Sequence, residues 1–268
     1  MKQEQKRKLL ITLIVVFALV IIGAVGYVVI KQLGLFSSEE TYREVQQSYV
    51  TTAAATAAET ITDPANTDET GFPVNNPIDF ENLRAQNPDV YSWIDIPDTN
   101  VHYPVLQSTE DDNFYLDHDV YKNYSFPGAI YSQSMNKKDY SDRVTVLYGH
   151  NMLNGSMFAT IYRFADAQFF EEHPYFYVYT ADRKLTYEVV SAFDYDDRHI
   201  LNSFNFNEDS VFSDWLTAAQ SPHSLYSNVR TDVKLDLNSK MLVLSTCTNS
   251  GDGRYLLQGV LIKDEQTR

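Results

Sequence analysis

Residues 241–247 read Met-Leu-Val-Leu-Ser-Thr-Cys, an apolar run that ends at Cys247, the only cysteine among 268 residues. An apolar run of this length before a polar loop is typical of a buried β-strand. Arg254 stands seven residues after Cys247 and opens a second apolar run. Two neighbouring strands are therefore predicted to bring an unpaired thiol and a fixed cation to one sheet edge, as an acyl-transfer site requires.

Runs rich in β-branched and aromatic residues recur upstream of this segment. The predicted strands are 93–96, 101–106, 128–132, 143–148, 175–180, 184–193, 240–245 and 255–263. A short helix and turn precede them over 80–91, and residues 209–219 place four apolar side chains on one helical face, with Asp209 or Ser210 as N-cap. Long helices do not alternate with the strands, so we predict a mostly β fold, a closed mixed or antiparallel barrel with appended helices.

The N-terminal region predicts a membrane anchor. Residues 9–30 are 22 consecutive residues without a charge, enough for a helix to cross a hydrocarbon core of roughly 30 Å. Residues 1–8 carry four basic side chains and are predicted to stay in the cytoplasm, with everything after residue 30 outside. A cleaved signal peptide is the alternative, although the run exceeds the roughly 7 to 15 residues of a signal-peptide core.

Composition separates a linker from a compact domain. Residues 31–76 are predicted to form an extracellular stalk, because much of this stretch is rich in Ala and Thr and poor in aromatic residues. A short helix near 38–47 would continue the membrane helix. The compact domain is placed at 77–268. The 36 acidic and 21 basic residues give a formal charge of −15, which argues against nucleic acid as a partner.

Among the six histidines, His150 is the strongest candidate for a catalytic base. It follows the predicted strand 143–148 after Gly149, so the sheet would hold it at the edge of a cleft, and Gly149 would let a substrate backbone come close. The other five are expected to be surface or hydrogen-bonded histidines: His102, His118, His173, His199 and His223.

These residues carry a family resemblance. The segments 148–150 (Tyr-Gly-His) and 244–247 (Leu-Ser-Thr-Cys), together with Arg254, resemble the His, Cys and Arg signature of the sortases, membrane-anchored transpeptidases of Gram-positive cell surfaces. The resemblance covers residues 77–268 and is strongest to class B sortases, in the segments 93–96, 103–107, 113–116 and 155–158. One position departs from the family pattern, because Val243 stands where Thr is usual.

The resemblance implies a sortase-like β-barrel, one transmembrane helix and a plasma-membrane location with an extracellular catalytic domain. Cys247 would attack a peptide carbonyl, His150 would exchange protons with the departing and incoming amines, and Arg254 would bind the oxyanion. The implied substrates are surface proteins with a C-terminal sorting signal similar to Asn-Pro-x-Thr-Asn or Leu-Pro-x-Thr-Gly. A peptidoglycan precursor or a pilin lysine would supply the acceptor amine.

Two other classes of protein remain open at this point, a cell-wall cysteine peptidase and a non-catalytic binding module on a stalk. Neither a cofactor nor a metal is predicted. A crowded acidic loop formed by Glu110, Asp111, Asp112, Asp117 and Asp119 offers oxygen ligands of the kind that calcium prefers. It lacks the ligand alternation of an EF-hand, so a solvated acidic face is the favoured interpretation.

Overall fold

The computed structural model describes residues 3–50, 74–248 and 251–267. The chain divides into two compact units, Met1–Thr41 and Tyr42–Arg268. Helix α1 spans Gln3–Tyr49. Among the described residues it contains one segment long and apolar enough to cross a membrane, Leu10–Val29, with a mean hydropathy of 2.8. This segment falls inside the predicted anchor at 9–30, and its insertion in a membrane stays a prediction.

The second unit is built on a closed, mixed barrel, as predicted. Eight strands follow the order β5-β1-β2-β3-β4-β8-β9-β6, and β6 returns to β5 to close the barrel. The strands are β1 (Val90–Asp95), β2 (His102–Leu106), β3 (Ile130–Tyr131), β4 (Val144–Tyr148), β5 (Tyr175–Tyr179), β6 (Arg183–Tyr195), β7 (Ser227–Val229), β8 (Met241–Cys247) and β9 (Arg254–Gln266). The pairs β2–β3 and β4–β8 are parallel and the others antiparallel. Strand β7, which was not predicted, adds to the edge of β6.

Strands β6 and β9 give the barrel its longest ladder. Each has 13 residues, and their pairing shifts register twice, between Thr186 and Tyr187 and between Val189 and Ser191. Such irregularities bend a strand and increase its twist, which a small closed barrel needs. The bends let β6 pair with β9, β5 and β7 along its length.

Short helices surround the barrel: α2 (Phe80–Gln86), α3 (Ala167–Glu172), α4 (Ile200–Ser203), α5 (Asp209–Gln220), and two 3₁₀ helices, Phe114–Leu116 and Ala159–Ala165. The helix predicted at 209–219 is α5. Its predicted N-cap is wrong, because Glu208 occupies that position without a side-chain cap bond. The carboxylate of Asp209 instead accepts a hydrogen bond from Arg143 at 2.7 Å, so it serves the contact between helix and barrel.

Helix α5 covers the outer face of the barrel beside β8. Phe212 and Trp215 are buried in one cluster with Met241 and Val243. Since side chains alternate along a strand, Ser245 and Cys247 share the outer face with Val243. Val243 is 0 % exposed, so an apolar side chain suits this position better than the Thr usual in the family, whose hydroxyl would be buried here.

The last turns of α1 belong to the second unit. Tyr42 and Val45 are 3 % and 0 % exposed, and the Tyr49 carbonyl accepts a hydrogen bond from Asp79 N at 2.8 Å. Residues 31–49, predicted as stalk, are described as helix, whereas residues 51–73 of the predicted stalk lie outside the described residues. The second unit thus includes residues upstream of 77, the predicted start of the domain.

We expect a fragment of residues 77–268 to be less stable than a fragment of residues 38–268. Removing two buried side chains, Tyr42 and Val45, loses about 1.5–3 kcal/mol for each. This loss would lower the melting temperature by about 10 °C. Circular dichroism melts of both fragments measure it, with the double substitution Tyr42→Ala and Val45→Ala in the longer fragment as a control. Equal melting temperatures would support the boundary at 77.

Candidate active site

The paired strands β8 and β9 bring Cys247 and Arg254 together. Their Cα atoms are register partners at the end of the β8–β9 ladder, and Arg254 Nη1 lies 3.8 Å from Cys247 Sγ. The thiol is free and partly exposed. Among the described residues, no carboxylate forms an ion pair with Arg254. Nη1 also donates to the Gly253 carbonyl at 3.2 Å, and the guanidinium lies beside the thiol at the sheet edge, as the sequence predicts.

His150 lies at the end of β4, the parallel neighbour of β8. Tyr148 is the register partner of Ser245, and Gly149 N donates to Ser245 O at 3.2 Å. Continuing this register by two residues places His150 level with Cys247. The imidazole Nε2 lies 2.8 Å from the carbonyl oxygen of Leu116, and the ring stacks on Phe126 with 5.7 Å between ring centroids.

The interpretation of Gly149 was wrong. A Cβ at this position would lie 2.5 Å from Ile130 Cδ1 and 2.8 Å from the Phe158 ring. Ile130 and Phe158 are both 0 % exposed, so core side chains and no open cleft occupy this space. The glycine lets β4 pack closely on the core just before His150, and thereby helps to fix where the histidine leaves the sheet.

Two side chains that were not predicted hold the backbone of the nucleophile candidate. Asn151 Nδ2 donates to the Cys247 carbonyl at 3.1 Å, and Tyr162 OH donates to the same carbonyl at 3.4 Å. The Tyr162 ring also stacks on Tyr255 with centroids 4.2 Å apart. Asn151 directly follows His150. Its position next to a candidate catalytic residue could have indicated that it belongs to the site. Tyr162 comes from a 3₁₀ helix that carries no comparable signal.

Two tyrosines lie beside the thiol and guanidinium on the outer face of the barrel. Tyr131 and Tyr148 are register partners in β3 and β4, and their ring centroids are 5.5 Å apart. Burial raises the pKa of Tyr131 to about 12, with the Arg254 cation opposing this rise. Burial also raises the pKa of Tyr148. Both hydroxyls therefore stay protonated at neutral pH, and the Tyr148 hydroxyl is buried without a hydrogen-bond partner in the part of the chain that the structure describes.

Four of the other histidines form hydrogen bonds or ion pairs away from Cys247. The fifth, His223, is exposed, and no partner is described for it. His102 pairs with Asp95, His118 with Asp117, His173 with Asp98 and His199 with Gln133. In the acidic loop, Asp111, Asp112 and Asp119 accept hydrogen bonds from backbone amides. Within the described ranges, no cluster of three or more His, Cys, Asp or Glu residues is arranged to hold a metal ion.

A closed β-barrel with a thiol and a guanidinium side by side at a strand end is the arrangement of a β-barrel cysteine acyltransferase. Comparison with known proteins identifies the family. The model of the Sortase domain matches residues 94–262, so the chain belongs to the sortases and is a cysteine transpeptidase. The family assignment favours this activity over the peptidase and the non-catalytic module.

The relatives are class B sortases, as the sequence resemblance predicts. Sortase B of Listeria monocytogenes is 30 % identical over 187 residues, which cover 69 % of this chain and 74 % of that protein. The structure of Clostridium perfringens sortase B is 32 % identical with a TM-score of 0.59, and covers 68 % of this chain and 99 % of that one. The structure of a Streptococcus pyogenes class B sortase involved in pilus biogenesis is 27 % identical with a TM-score of 0.60. The match covers 69 % of this chain and 98 % of that one.

Proposed function

We propose that the protein is a membrane-anchored sortase that joins surface proteins to an amine through a thioester on Cys247. The observation that carries this proposal is the 3.8 Å contact of Arg254 Nη1 with Cys247 Sγ, at a strand end that the β4–β8 register sets level with His150. Cys247 and Arg254 thus lie in contact on neighbouring strands, and His150 follows the end of the next strand at the level of Cys247. This constellation supports nucleophilic acyl transfer.

The reaction proceeds in two steps, formation of a thioester and transfer of its acyl group to an amine. In the first, the Cys247 thiolate attacks the carbonyl carbon of the substrate's Thr residue, and the scissile C–N bond breaks. His150 in its imidazolium form gives its proton to the departing amine, which leaves a thioester. In the second, an acceptor amine attacks the thioester carbonyl and gives a proton to neutral His150. The C–S bond breaks, an amide forms and the thiolate returns.

Arg254 stabilises the oxyanion that forms in both steps. Its guanidinium stays charged across the working pH range and offers several N–H donors in a fixed plane. Its position beside the sulfur also places those donors next to the carbon that the sulfur attacks. Preorganised donors of this kind stabilise the developing charge more than the ground state.

The substrate is a surface protein with a C-terminal sorting signal, similar to Asn-Pro-x-Thr-Asn or Leu-Pro-x-Thr-Gly and cut after Thr. The acceptor is an amine of a peptidoglycan precursor or a pilin lysine. Helix α1 supports a single-pass anchor at the plasma membrane through its segment Leu10–Val29. The basic residues before this segment support a cytoplasmic N-terminus and an extracellular barrel.

The test offers a panel of sorting-motif peptides to the full-length chain in detergent micelles, with and without an amine acceptor. We expect mass spectrometry to find a thioester on Cys247 and, with the amine, a transfer product. The favoured peptide identifies the motif, and a comparison of a peptidoglycan-precursor amine with a pilin peptide that carries lysine separates the two acceptor classes. Peptide cleavage without any adduct on Cys247 would contradict the proposal.

Arg254→Lys should lower kcat by on the order of 10²-fold, because lysine keeps the charge but loses the planar donors, a loss comparable with deleting one oxyanion donor. The KM for the peptide should change much less. Steady-state kinetics measures both. Arg198→Lys is a suitable control, since Arg198 is exposed and pairs with Asp196, and it should leave kcat unchanged. A fully active Arg254→Lys variant would make Arg254 a structural cation only.

A further inference from the structure

The hydrogen bond on His150 defines which ring nitrogen carries a proton. Leu116 O, which lies 2.8 Å from His150 Nε2, is a backbone carbonyl and can only accept. Nε2 must therefore be protonated whenever this bond exists, in the neutral as well as the charged ring. The other nitrogen, Nδ1, is then the one that gains and loses the proton during turnover. Whatever holds the Leu116 carbonyl in place also sets the tautomer and orientation of His150.

The Leu116 carbonyl lies against the backbone of Gly128. Leu116 ends the 3₁₀ helix Phe114–Leu116, and the chain then returns to this helix at Gly128, which has φ +60°. A Cβ on Gly128 would lie 2.4 Å from the Leu116 and Tyr115 carbonyl oxygens. Ala129 N donates to Tyr115 O at 2.9 Å. The Gly128 backbone therefore packs directly against the Leu116 carbonyl and limits its movement on that side.

Gly128 is in turn tied to the end of helix α1. The Tyr42 hydroxyl donates to Gly128 O at 2.7 Å in a buried setting, and the Tyr42 ring packs edge-on against Tyr103 with centroids 5.3 Å apart. Burial raises the pKa of Tyr42 well above its ordinary value, so this hydroxyl stays protonated and continues to donate. Tyr42 is 3 % exposed, whereas Leu116 is 45 % exposed, so these contacts run from the buried end of helix α1 to the surface.

We propose that Tyr42 is a positioning residue for His150 and acts through Gly128 and the Leu116 carbonyl. Three successive contacts connect them: Tyr42 OH to Gly128 O, the Gly128 Cα against the Leu116 carbonyl, and that carbonyl to His150 Nε2. The helix that leaves the N-terminal segment thereby takes part in arranging the general acid and base. This inference rests on the proposed role of His150 in the transpeptidation.

The test uses Tyr42→Phe, which removes one hydroxyl and keeps the ring. The matched control is Tyr140→Phe, because Tyr140 is also buried and this variant also loses a hydrogen bond, the one between the Tyr140 hydroxyl and Ser92 Oγ at 2.6 Å. Full-length chains are prepared in phospholipid nanodiscs with nitrogen-15-labelled histidine. Two quantities are measured for each: the protonation of His150 Nε2 by long-range nitrogen–proton NMR at a pH where the ring is neutral, and kcat and KM with a sorting-motif peptide.

The parent and Tyr140→Phe should show a single neutral tautomer of His150, with the proton on Nε2. Tyr42→Phe should show a mixture of both tautomers, a kcat lowered by about 10-fold and an almost unchanged KM, since a small misplacement of a catalytic group has large kinetic effects. Equal losses in both variants would make Tyr42 a stability residue and overturn the inference. An unchanged tautomer in Tyr42→Phe would overturn it as well. If the parent transfers no peptide, the proposed function fails, and the NMR comparison still decides the role of Tyr42.

Discussion

Cys247→Ala should abolish cleavage and transfer, with kcat reduced by at least about 10⁴-fold. Without the sulfur no thioester can form, and the remaining oxyanion donors can assist only direct attack by water. The free energy of unfolding should change by no more than roughly 1 to 2 kcal/mol, because the side chain is small and partly exposed. Peptide turnover and thermal melting of the full-length variant measure the two effects separately.

Cys247→Ser provides a matched comparison, since it changes one atom and keeps the shape of the side chain. An alcohol is a much weaker nucleophile at neutral pH than a thiolate, so this variant should also be inactive. It should still bind the peptide, which isothermal calorimetry can detect. Half of the parent's activity in either variant would exclude Cys247 as the nucleophile.

His150→Ala should lower kcat by 10²- to 10⁴-fold, the range typical for removing a general acid and base. The leaving amine then departs without a proton donor, while Cys247 and Arg254 keep their strand contacts. Steady-state kinetics should find the KM for the peptide nearly unchanged. Added imidazole should restore part of the rate by entering the space that the ring leaves.

His223→Ala is the control for this substitution, because His223 is exposed and has no proposed role. It should match the parent in kcat and KM. If His150→Ala loses less than about 10-fold, the proton must reach the leaving amine by another path, and the proposed role of His150 is then wrong.

The strand framework of the site was predictable from local pattern. The apolar run 241–247 and the run after Arg254 predicted two neighbouring strands, and the register confirms this by pairing Cys247 with Arg254. An alternating or continuous run of apolar residues indicates a segment that is buried on one or both faces, as the strands of a barrel are. Strand β7 has only three residues, too few to show such a pattern.

The surroundings of His150 could not be predicted from sequence in the same way. Its partner at Nε2 is a backbone carbonyl, which every residue possesses, and the loop that supplies it depends on Tyr42 at a distance of 86 residues from Gly128. Gly149 illustrates the same limit. Its type indicated a close approach, but only the packed structure identifies Ile130 and Phe158 as the groups that approach.

The parallel pairing of β4 with β8 determines when during folding the candidate site is assembled. Asn151 and Cys247 touch across 96 residues of sequence, and contacts of such separation form late, because a long stretch of backbone must lose its freedom first. Until β8 docks beside β4, the sulfur and the imidazole belong to unrelated parts of the chain. The arrangement needed for transpeptidation therefore exists only after β8 has docked beside β4 and the barrel has closed.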